Sequence, residues 1–315
     1  LHVDDDAPGD PGPGNPLVSD PLEDGSAAHP FDAVQEAIDS LPPAGTPGPH
    51  PVILLADGLY RGLGNRELDP GGRALTVRSA GGPAACVLDG EDVTQLFRIT
   101  KGEGPTTLLE GLTLVRGRGD QGGAVYVEES DPVLRGCVVL DSVAIAPFSG
   151  FGGGVYGTDT RLALIDCHFE GNHTAGSGGA VFLESDLSHP SGDHPDPPLV
   201  LRCTFVANTA LSGGGLSLGS SIDGLVVEDS TFTGNHASND GGGLYLAAPA
   251  EVRDCFVAGN RAEARGGGMS LTANYGPVSV RGCTLRGNQA GQAAGGLHVF
   301  GVGGSLADSI LWENV

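Results

Sequence analysis

One phrase returns through most of this chain and restricts the folds that it can adopt. The phrase is CHFEGNHTAGSGGAVF at residues 167–182 and CTFVANTALSGGGLSL at residues 203–218. A column that is mostly cysteine recurs every 25 to 36 residues, with an apolar residue two positions later and, in most units, an asparagine three positions after that. The column consists of Leu112, Cys137, Cys167, Cys203, Ser230, Cys255, Cys283 and Ser309. This spacing predicts a repeat protein in which each unit is stabilised by its neighbours.

The pattern inside each unit indicates strands. In LVLRCTF, the residues Leu199, Leu201, Cys203 and Phe205 fall on one face, which is the period of a strand. No unit has a helical period, and glycine and asparagine stand between the apolar segments. Three short strands per unit, with turns at these positions, predict one coil of a parallel β-helix. The expected fold is therefore all-β, a right-handed parallel β-helix (solenoid) of about ten coils with a short N-terminal capping helix.

The repeated columns themselves have structural explanations. The cysteines fall on the predicted inward face and none belongs to a CxxC pair, so a zinc site is not expected. Side chains that point in parallel directions are poorly placed for disulfides, so we expect buried free thiols. Asparagine suits a corner with a left-handed backbone, and its amide can bond to the asparagine of the next coil.

The N-terminal part differs from the repeats. The segment HPFDAVQEAIDSL at residues 29–41 places apolar residues at helical spacing, and this predicts a short amphipathic helix that covers the first coil. These apolar residues are Phe31, Val34, Ala37, Ile38 and Leu41. We therefore expect residues 1–50 to form an acidic leader and an N-terminal helical cap, and residues 51–315 to form the parallel β-helix.

The charge of the chain excludes several kinds of partner. Its 39 acidic and 16 basic residues give a net charge of −23, which repels nucleic acid and anionic membranes because phosphate binding needs a basic face. The same charge attracts divalent cations. No apolar stretch has the length of a transmembrane helix, so membrane insertion of this segment is not expected. Numbering starts at Leu1 without a methionine, as in an exported and processed chain or in a trimmed one. An extracellular or cell-surface location is expected.

The repeats resemble a known group of surface proteins. The segments FEGN…GGAVF, FVAN…GGGLS and FTGN…GGGLY carry FxxN and GGA(I/V/L) signatures similar to the repeats of chlamydial polymorphic outer-membrane proteins. They also resemble the wider group of right-handed parallel β-helix repeat proteins of bacterial cell surfaces. The opening of the chain is similar to that of many secreted β-helix proteins, polysaccharide lyases among them. The resemblance implies the fold and an adhesin-like or scaffolding role, and fold alone implies no activity.

Charged residues on successive coils raise an enzymatic alternative. The similarity to parallel β-helix lyases implies carboxylates on adjacent coils that hold Ca²⁺, and an arginine that removes the proton beside a uronate carboxylate. In this chain Asp229 and Asp254 would hold Ca²⁺, and the catalytic candidates are Arg253 and Arg281 together with these two aspartates. Asp229 and Asp254 would stand about one strand spacing apart in adjacent coils.

The competing interpretation of the same residues is a structural ladder. Glu110 with Arg135, and Glu228 with Arg253, would form ion pairs between coils that offset like-charge stacking. A chain with a net charge of −23 is also a poor host for a polyanionic sugar unless cations are bound.

Two further segments gather residues that can bind ligands. The insertion ESDLSHPSGDHPDPP lengthens one unit and could bind a transition metal or line a groove, or form only a surface loop. Its candidate binding residues are Asp186, His189, Asp193, His194 and Asp196. In the acidic leader, Asp20, Glu23 and Asp24 are candidate Ca²⁺ ligands, although the leader does not match an EF-hand loop. The alternative, favoured for the first dozen residues, is a flexible acidic arm.

These features leave three hypotheses. The first is a secreted or cell-surface β-helical scaffold of the adhesin type that binds a carbohydrate polymer or a surface protein along its flank, without catalysis. The second is a Ca²⁺-dependent polysaccharide lyase or a related carbohydrate-active enzyme. The third is a subunit of an end-to-end filament, because the last unit stops within a coil and an open edge can pair with another chain.

Overall fold

The chain forms four parallel sheets that wrap around one apolar interior. The computed structural model describes residues 1–5, 22–146, 150–185, 197–220, 222, 224–272, 276–301 and 303–315. Every paired strand is parallel to its neighbour. Between residues 108 and 300, each coil contributes one strand to each of four sheets, which are named A, B, D and C in chain order. Sheet B stacks ten strands in coil order, which gives a solenoid of about nine turns and confirms the predicted fold class.

Sheets A and B are the longer pair. Sheet A consists of the strands His2–Val3, Val52–Leu55, Thr76–Ser79, Leu108–Glu110, Val133–Arg135, Ala163–Ile165, Leu199–Leu201, Val226–Glu228, Ala250–Arg253, Val278–Arg281 and Gly304–Ala307. Sheet B consists of Gly58–Tyr60, Cys86–Asp89, Thr113–Val115, Val138–Leu140, His168–Glu170, Thr204–Val206, Thr231–Thr233, Phe256–Ala258, Thr284–Arg286 and Ile310–Trp312.

Sheets C and D complete each coil. Sheet C consists of Phe97–Ile99, Val125–Glu128, Val155–Thr158, Val181–Glu184, Leu216–Leu218, Leu244–Leu246, Met269–Thr272 and Leu297–Phe300. Sheet D consists of Arg118–Gly119, Val143–Ala144, His173–Thr174, Thr209–Ala210, His236–Ala237, Arg261–Ala262 and Gln289–Ala290. The sequence predicted three strands per coil, and sheet D is the fourth. Its strands have two residues each, too few for an alternating pattern to show.

The corner between sheets A and B has a left-handed backbone in every repeat. One residue per coil has φ between 49° and 64° there: Gly111, Gly136, Asp166, Arg202, Asp229, Asp254, Gly282 and Asp308. This residue interrupts the alternation of faces, so the prediction that Leu199 and Leu201 share the inward face of Cys203 is wrong. Val200 is buried instead, and the two leucines are half-buried on the outward face of sheet A.

Like residues stack directly over like in the interior. The rings of Phe169 and Phe205 are stacked with centroids 4.9 Å apart, and those of Phe205 and Phe232 with centroids 4.5 Å apart. The six cysteines are buried and free, as predicted, and the Cys137 thiol donates to the Leu109 carbonyl oxygen at 3.4 Å. Burial raises the pKa of the Cys86 thiol to about 12, so this group is inert at neutral pH.

A buried ladder of asparagines joins the coils beside the phenylalanine stack. The Asn208 side-chain nitrogen donates to Asn235 Oδ1 at 3.0 Å and to the Phe169 carbonyl oxygen at 3.0 Å. The Asn208 backbone N–H also donates to Asn235 Oδ1, at 3.0 Å. The pattern repeats along the column Asn172, Asn208, Asn235, Asn260, Asn288 and Asn314.

Glycines occupy the corner that precedes sheet C because the backbones of adjacent coils are in contact there. A Cβ on Gly242 would collide with the carbonyl oxygens of Gly267 and Arg261. Only glycine therefore allows the coils to approach to one strand spacing at this corner.

The two ends of the solenoid differ. The predicted cap is present as the helix Val34–Asp39, whose Val34, Ala37 and Ile38 are buried against the first coils. His2–Val3 adds a first strand to sheet A, so the leader takes part in the solenoid from its second residue. In the last coil, Ile310 is 60% exposed and Trp312 61% exposed. Self-association through this coil stays a prediction.

Candidate functional site

The predicted catalytic aspartates lie at the corner between sheets A and B. Asp229 has φ of 50° and Asp254 has φ of 55°, a conformation that aspartate, asparagine and glycine adopt most readily. The two residues follow strands that pair in register, so they stand in adjacent coils as predicted. A Cβ on Gly282, the corner residue of the next coil, would collide with the Asp254 carboxylate. Corner geometry is thus a sufficient reason for aspartate at both positions.

The arginines of the same cluster differ in their pairing. Arg253 Nη2 bonds to Glu228 Oε2 at 2.8 Å, and Nη1 lies 3.4 Å from Glu251 Oε1. The hydrogen bond to Glu228 raises the pKa of Arg253, so its guanidinium remains a cation at neutral pH. Arg281 is exposed and forms no ion pair with the residues that the structure describes. The predicted ladder is present, with Arg135 Nη1 at 3.6 Å from Glu110 Oε1, and catalysis by this cluster stays a prediction.

The predicted Ca²⁺ ligands belong to the leader and to the corner between sheets A and B. Among the described residues, no three His, Cys, Asp or Glu side chains are placed to hold one metal ion. Asp20 lies outside the described residues. The Asp24 carboxylate accepts the Ser26 backbone N–H at 2.9 Å, and its pKa is lowered chiefly by hydrogen bonds from Ser26. Ca²⁺ at the leader or at Asp229 and Asp254 stays a proposal.

The candidate binding residues of the insertion fall outside the described part of the chain. They are Asp186, His189, Asp193, His194 and Asp196. Their role stays a prediction.

Glu23, a predicted Ca²⁺ ligand, lies close enough to Glu36 of the helix to shift the pKa of that carboxyl group. Partial burial raises the pKa of Glu36, and the neighbouring Glu23 carboxylate raises it further. A carboxyl group whose pKa is raised in the folded state stabilises the protein at acid pH and loses that contribution as pH rises through its unfolded and then its folded pKa.

We expect Glu36→Gln to raise the urea midpoint of unfolding modestly at pH 7 and to leave it unchanged well below pH 4, where both carboxyl groups are protonated in either state. Urea titrations of both proteins from about pH 3 to pH 7 measure this difference. Asp308→Asn is the matched control, because Asp308 is exposed and lies in the last coil, far along the solenoid from the helix Val34–Asp39. A lower midpoint of Glu36→Gln at pH 7 contradicts the expectation.

A row of aromatic residues on the outward face of sheet C is the feature that the predicted sites omit. Arg98, Tyr126, Tyr156 and Phe182 occupy equivalent positions of four successive strands. The rings of Tyr126 and Tyr156 stack with centroids 5.3 Å apart, and those of Tyr156 and Phe182 with centroids 6.0 Å apart. Phe151 covers the last ring at 4.6 Å. The faces of these rings are turned to one another, so the row is a rigid stack.

The guanidinium of Arg98 ends this stack. Its Cζ lies 4.5 Å from the centroid of the Tyr126 ring, a cation–π contact that fixes the position of the charge. Arg98 is exposed and has no carboxylate partner among the described residues, whereas most arginines of the chain are in ion pairs. The stack therefore presents an oriented guanidinium that forms no salt bridge with the described residues.

Polar groups surround this charge in a cavity of about 440 Å³. The lining residues are Gln95, Arg98, Asp120, Gln121, Tyr126 and Ala146. The Gln95 side-chain amide donates to the Gly122 carbonyl oxygen at 3.0 Å. This hydrogen bond holds the Gln95 side chain against the corner that precedes sheet C. Burial raises the pKa of Tyr126, and Glu128 raises it further, so its hydroxyl stays protonated at neutral pH. The cavity thus combines one cation, one exposed carboxylate, two amides and a phenol.

The sequence contains a signal for the aromatic row but hardly any for the arginine. Three units read GGAVY, GGGVY and GGAVF, with an aromatic residue directly after the inward aliphatic one. This recurrence places an outward aromatic on each coil. Arg98 precedes the regular repeats, so only the strand register shows that it continues the same column.

Comparisons with known proteins support the class of protein that this geometry defines. Residues 166–184 and 229–247 match the Chlamydia polymorphic membrane protein (Chlamydia_PMP) repeat. Each matched segment runs from the corner aspartate through sheets B and D into sheet C. The chain is a parallel β-helix repeat protein with repeats of this kind, which confirms the resemblance. No curated protein matches the sequence.

Three solved structures are similar in the course of the chain. ORF18 of Geobacillus virus E2 has a TM-score of 0.49 and 12% identity over 89% of this chain, which spans 58% of that protein. An alginate lyase from Paenibacillus sp. str. FPU-7 has a TM-score of 0.39 and 14% identity, covering 88% of this chain and 95% of its own. The A-module of mannuronan C-5 epimerase AlgE6 from Azotobacter vinelandii has a TM-score of 0.37 and 12% identity, covering 88% and 94%. These similarities concern the fold, so function has to be inferred from this chain's own residues.

In the described residues, no helix has both the length and the apolar character needed to cross a bilayer.

Proposed function

We propose that this chain is an extracellular or cell-surface β-helical scaffold that binds a carbohydrate polymer along the flank formed by sheet C, without transforming it. The contact point is the cavity at Arg98 and Tyr126. The observation that carries the proposal is the stacked, unpaired guanidinium of Arg98 among groups that bond to sugar hydroxyls. A planar guanidinium binds a carboxylate through two parallel hydrogen bonds, and amides and carboxylates bind hydroxyl groups.

The charge of the chain narrows the class of polymer. A net charge of −23 repels a ligand with many negative charges, while a single fixed guanidinium favours one carboxylate. The ligand that satisfies both conditions is a mainly neutral glycan with isolated acidic sugar units. Asp120 in the cavity wall is then an acceptor for hydroxyl groups beside the acidic unit.

We expect Arg98→Gln to weaken binding of such a glycan about tenfold or more, because a hydrogen bond to a charged group contributes about 1.5–3 kcal/mol. Isothermal titration of a neutral oligosaccharide that ends in one uronic acid measures the loss, with its carboxyl-reduced form as the second ligand. Arg118→Gln is the matched control, since Arg118 is also exposed and unpaired among the described residues but does not line the cavity.

Two results would contradict the proposal. One is equal affinity of the Arg98→Gln variant and the unchanged protein for the uronic-acid ligand. The other is undiminished binding of the carboxyl-reduced ligand.

A further inference from the structure

The outward face of sheet A carries an apolar patch that is only half-buried by the residues that the structure describes. Seven aliphatic side chains on five successive strands are half-buried there, alternating with the fully buried core residues. This sheet A patch consists of Leu108, Val133, Ala163, Ile165, Leu199, Leu201 and Val226. Single exposed aliphatic residues are normal on protein surfaces, but contiguous patches with a polar rim mark interaction sites.

The charges that border the patch follow one column of sheet A. The strand register places Ile165 beside Leu201 at the centre of this column. Arg135 and then Glu110 precede them, and Glu228 and then Arg253 follow them. Along the column the order is therefore minus, plus, apolar, apolar, minus, plus.

This order is self-complementary under one two-fold rotation. The axis lies in the plane of the interface, parallel to the strands, between Ala163–Ile165 and Leu199–Leu201. A second copy turned about this axis keeps its strand direction and reverses its coil order. Arg135 of one copy then faces Glu228 of the other.

The outer charges and the centre agree with the same axis. Glu110 of one copy faces Arg253 of the other, so each end of the contact holds four charges of alternating sign. At the centre Ile165 faces Leu201, and in the neighbouring column Val133 faces Val226. At the edge of that column Leu108 faces Glu251, so the apolar contact ends there. Each of these contacts occurs twice because the interface is isologous.

The corner residues obey the same symmetry. Arg202 and Asp166 form a two-bond ion pair within the chain, with Nε to Oδ1 at 2.6 Å and Nη2 to Oδ2 at 2.9 Å. They follow the two central strands directly, so Asp166 of one copy lies on the side of Arg202 of the other.

We propose that the sheet A patch is the interface of a face-to-face dimer, in which a second copy of this chain packs with its solenoid axis antiparallel. The contact ends where the next positions outward set Arg78 opposite Arg281, two like charges. Six strands at about 4.8 Å and three residues at about 3.3 Å give a flat footprint of roughly 30 by 10 Å. This is smaller than the ~800 Å² per partner of stable complexes, so the dimer is weak and depends on concentration.

Sedimentation velocity over a rising concentration series tests the dimer. We expect the weight-average sedimentation coefficient of the unchanged protein to rise with concentration, and Leu201→Lys to abolish the rise. Val206→Lys is the matched control, because Val206 is also a half-buried outward aliphatic residue but lies on sheet B. Circular dichroism and unreactive thiols in each variant establish that the solenoid is intact.

A charge exchange separates this interface from any other. Arg135→Glu and Glu228→Arg each place like charges face to face in the dimer, so each single variant loses association. The double variant restores opposite charges across the axis, and we expect it to associate like the unchanged protein. Trp312→Ser, in the exposed last coil, leaves association unchanged.

A monomer at all concentrations would overturn the proposal. So would association that survives Leu201→Lys but is lost in Trp312→Ser, which would indicate contact through the last coil. Failure of the double variant to recover, with both single variants folded, would also overturn it.

Discussion

Replacing Asn235 by alanine is expected to lower the free energy of unfolding by about 2–6 kcal/mol, since it leaves two buried donors without a partner and each costs about 1–3 kcal/mol. Asn235 Oδ1 accepts the backbone N–H of Asn208 at 3.0 Å and its side-chain N–H at 3.0 Å. The Asn235 side-chain nitrogen donates to the Phe205 carbonyl oxygen at 3.0 Å. Alanine leaves these two donors without a partner in the interior, where Asn235 is fully buried, and removes one donor to the Phe205 carbonyl oxygen.

Urea titration followed by circular dichroism measures the loss for Asn235→Ala. The matched control is Asn239→Ala, four residues later on the exposed corner, for which we expect a change within about 0.5 kcal/mol. Asn235→Asp is a second test that nearly keeps the volume but removes the two donors of the amide. If Asn235→Ala unfolds at the same urea concentration as Asn239→Ala, the ladder does not stabilise the solenoid.

The repeat columns predicted the interior well because in a solenoid the neighbour of a residue is the equivalent residue one coil away. The spacing of Phe169, Phe205 and Phe232 in the sequence therefore specified a contact in space, and the rings do stack. The same holds for the asparagine column and for the buried, unpaired cysteines.

In sheet A, the alternation of apolar residues in the sequence does not predict which side chains point inward. Alternation predicts that Leu199 and Leu201 share the inward face of Cys203, because all of them occupy odd positions. Arg202 takes a left-handed backbone with φ of 51°, and this one residue reverses the direction of the side chains that follow. No propensity identifies arginine as such a corner, since glycine, asparagine and aspartate are the residues that favour it. For this reason the sequence does not predict the outward apolar patch.

The sequence does not predict the cavity on sheet C, for a different reason. Its residues come from three coils and from the corners between their sheets, and their proximity depends on register outside the regular repeats. The predicted catalytic cluster is the opposite case, because the sequence predicted the proximity of its residues correctly but structure alone explains them. Asp229, Asp254 and Arg253 do lie together, but a corner conformation and ion pairs are enough to explain their side chains. Recurrence in a solenoid therefore identifies structure, while departures from recurrence identify candidate sites.

The phenylalanine stack provides the second large effect. We expect Phe205→Ala to lower the free energy of unfolding by about 3–5 kcal/mol, as for other large-to-small changes in a core. Phe205 is fully buried and lies between two rings, 4.9 Å from Phe169 and 4.5 Å from Phe232. Because the backbone of each coil is bonded to the next through four sheets, the coils cannot close on the space that the ring leaves.

Two further variants separate packing from stacking. Phe205→Leu keeps most of the apolar volume and loses the ring contacts, so we expect a smaller loss of roughly 1–2 kcal/mol. Phe256→Ala is the control, because Phe256 is on the outward face of the same sheet and 41% exposed, and its loss is expected to stay below about 1 kcal/mol. Equal losses for Phe205→Ala and Phe256→Ala would mean that the ring column does not form the interior. The coil-over-coil register would then be wrong, and the sheet A and sheet C surfaces inferred from it would fail as well.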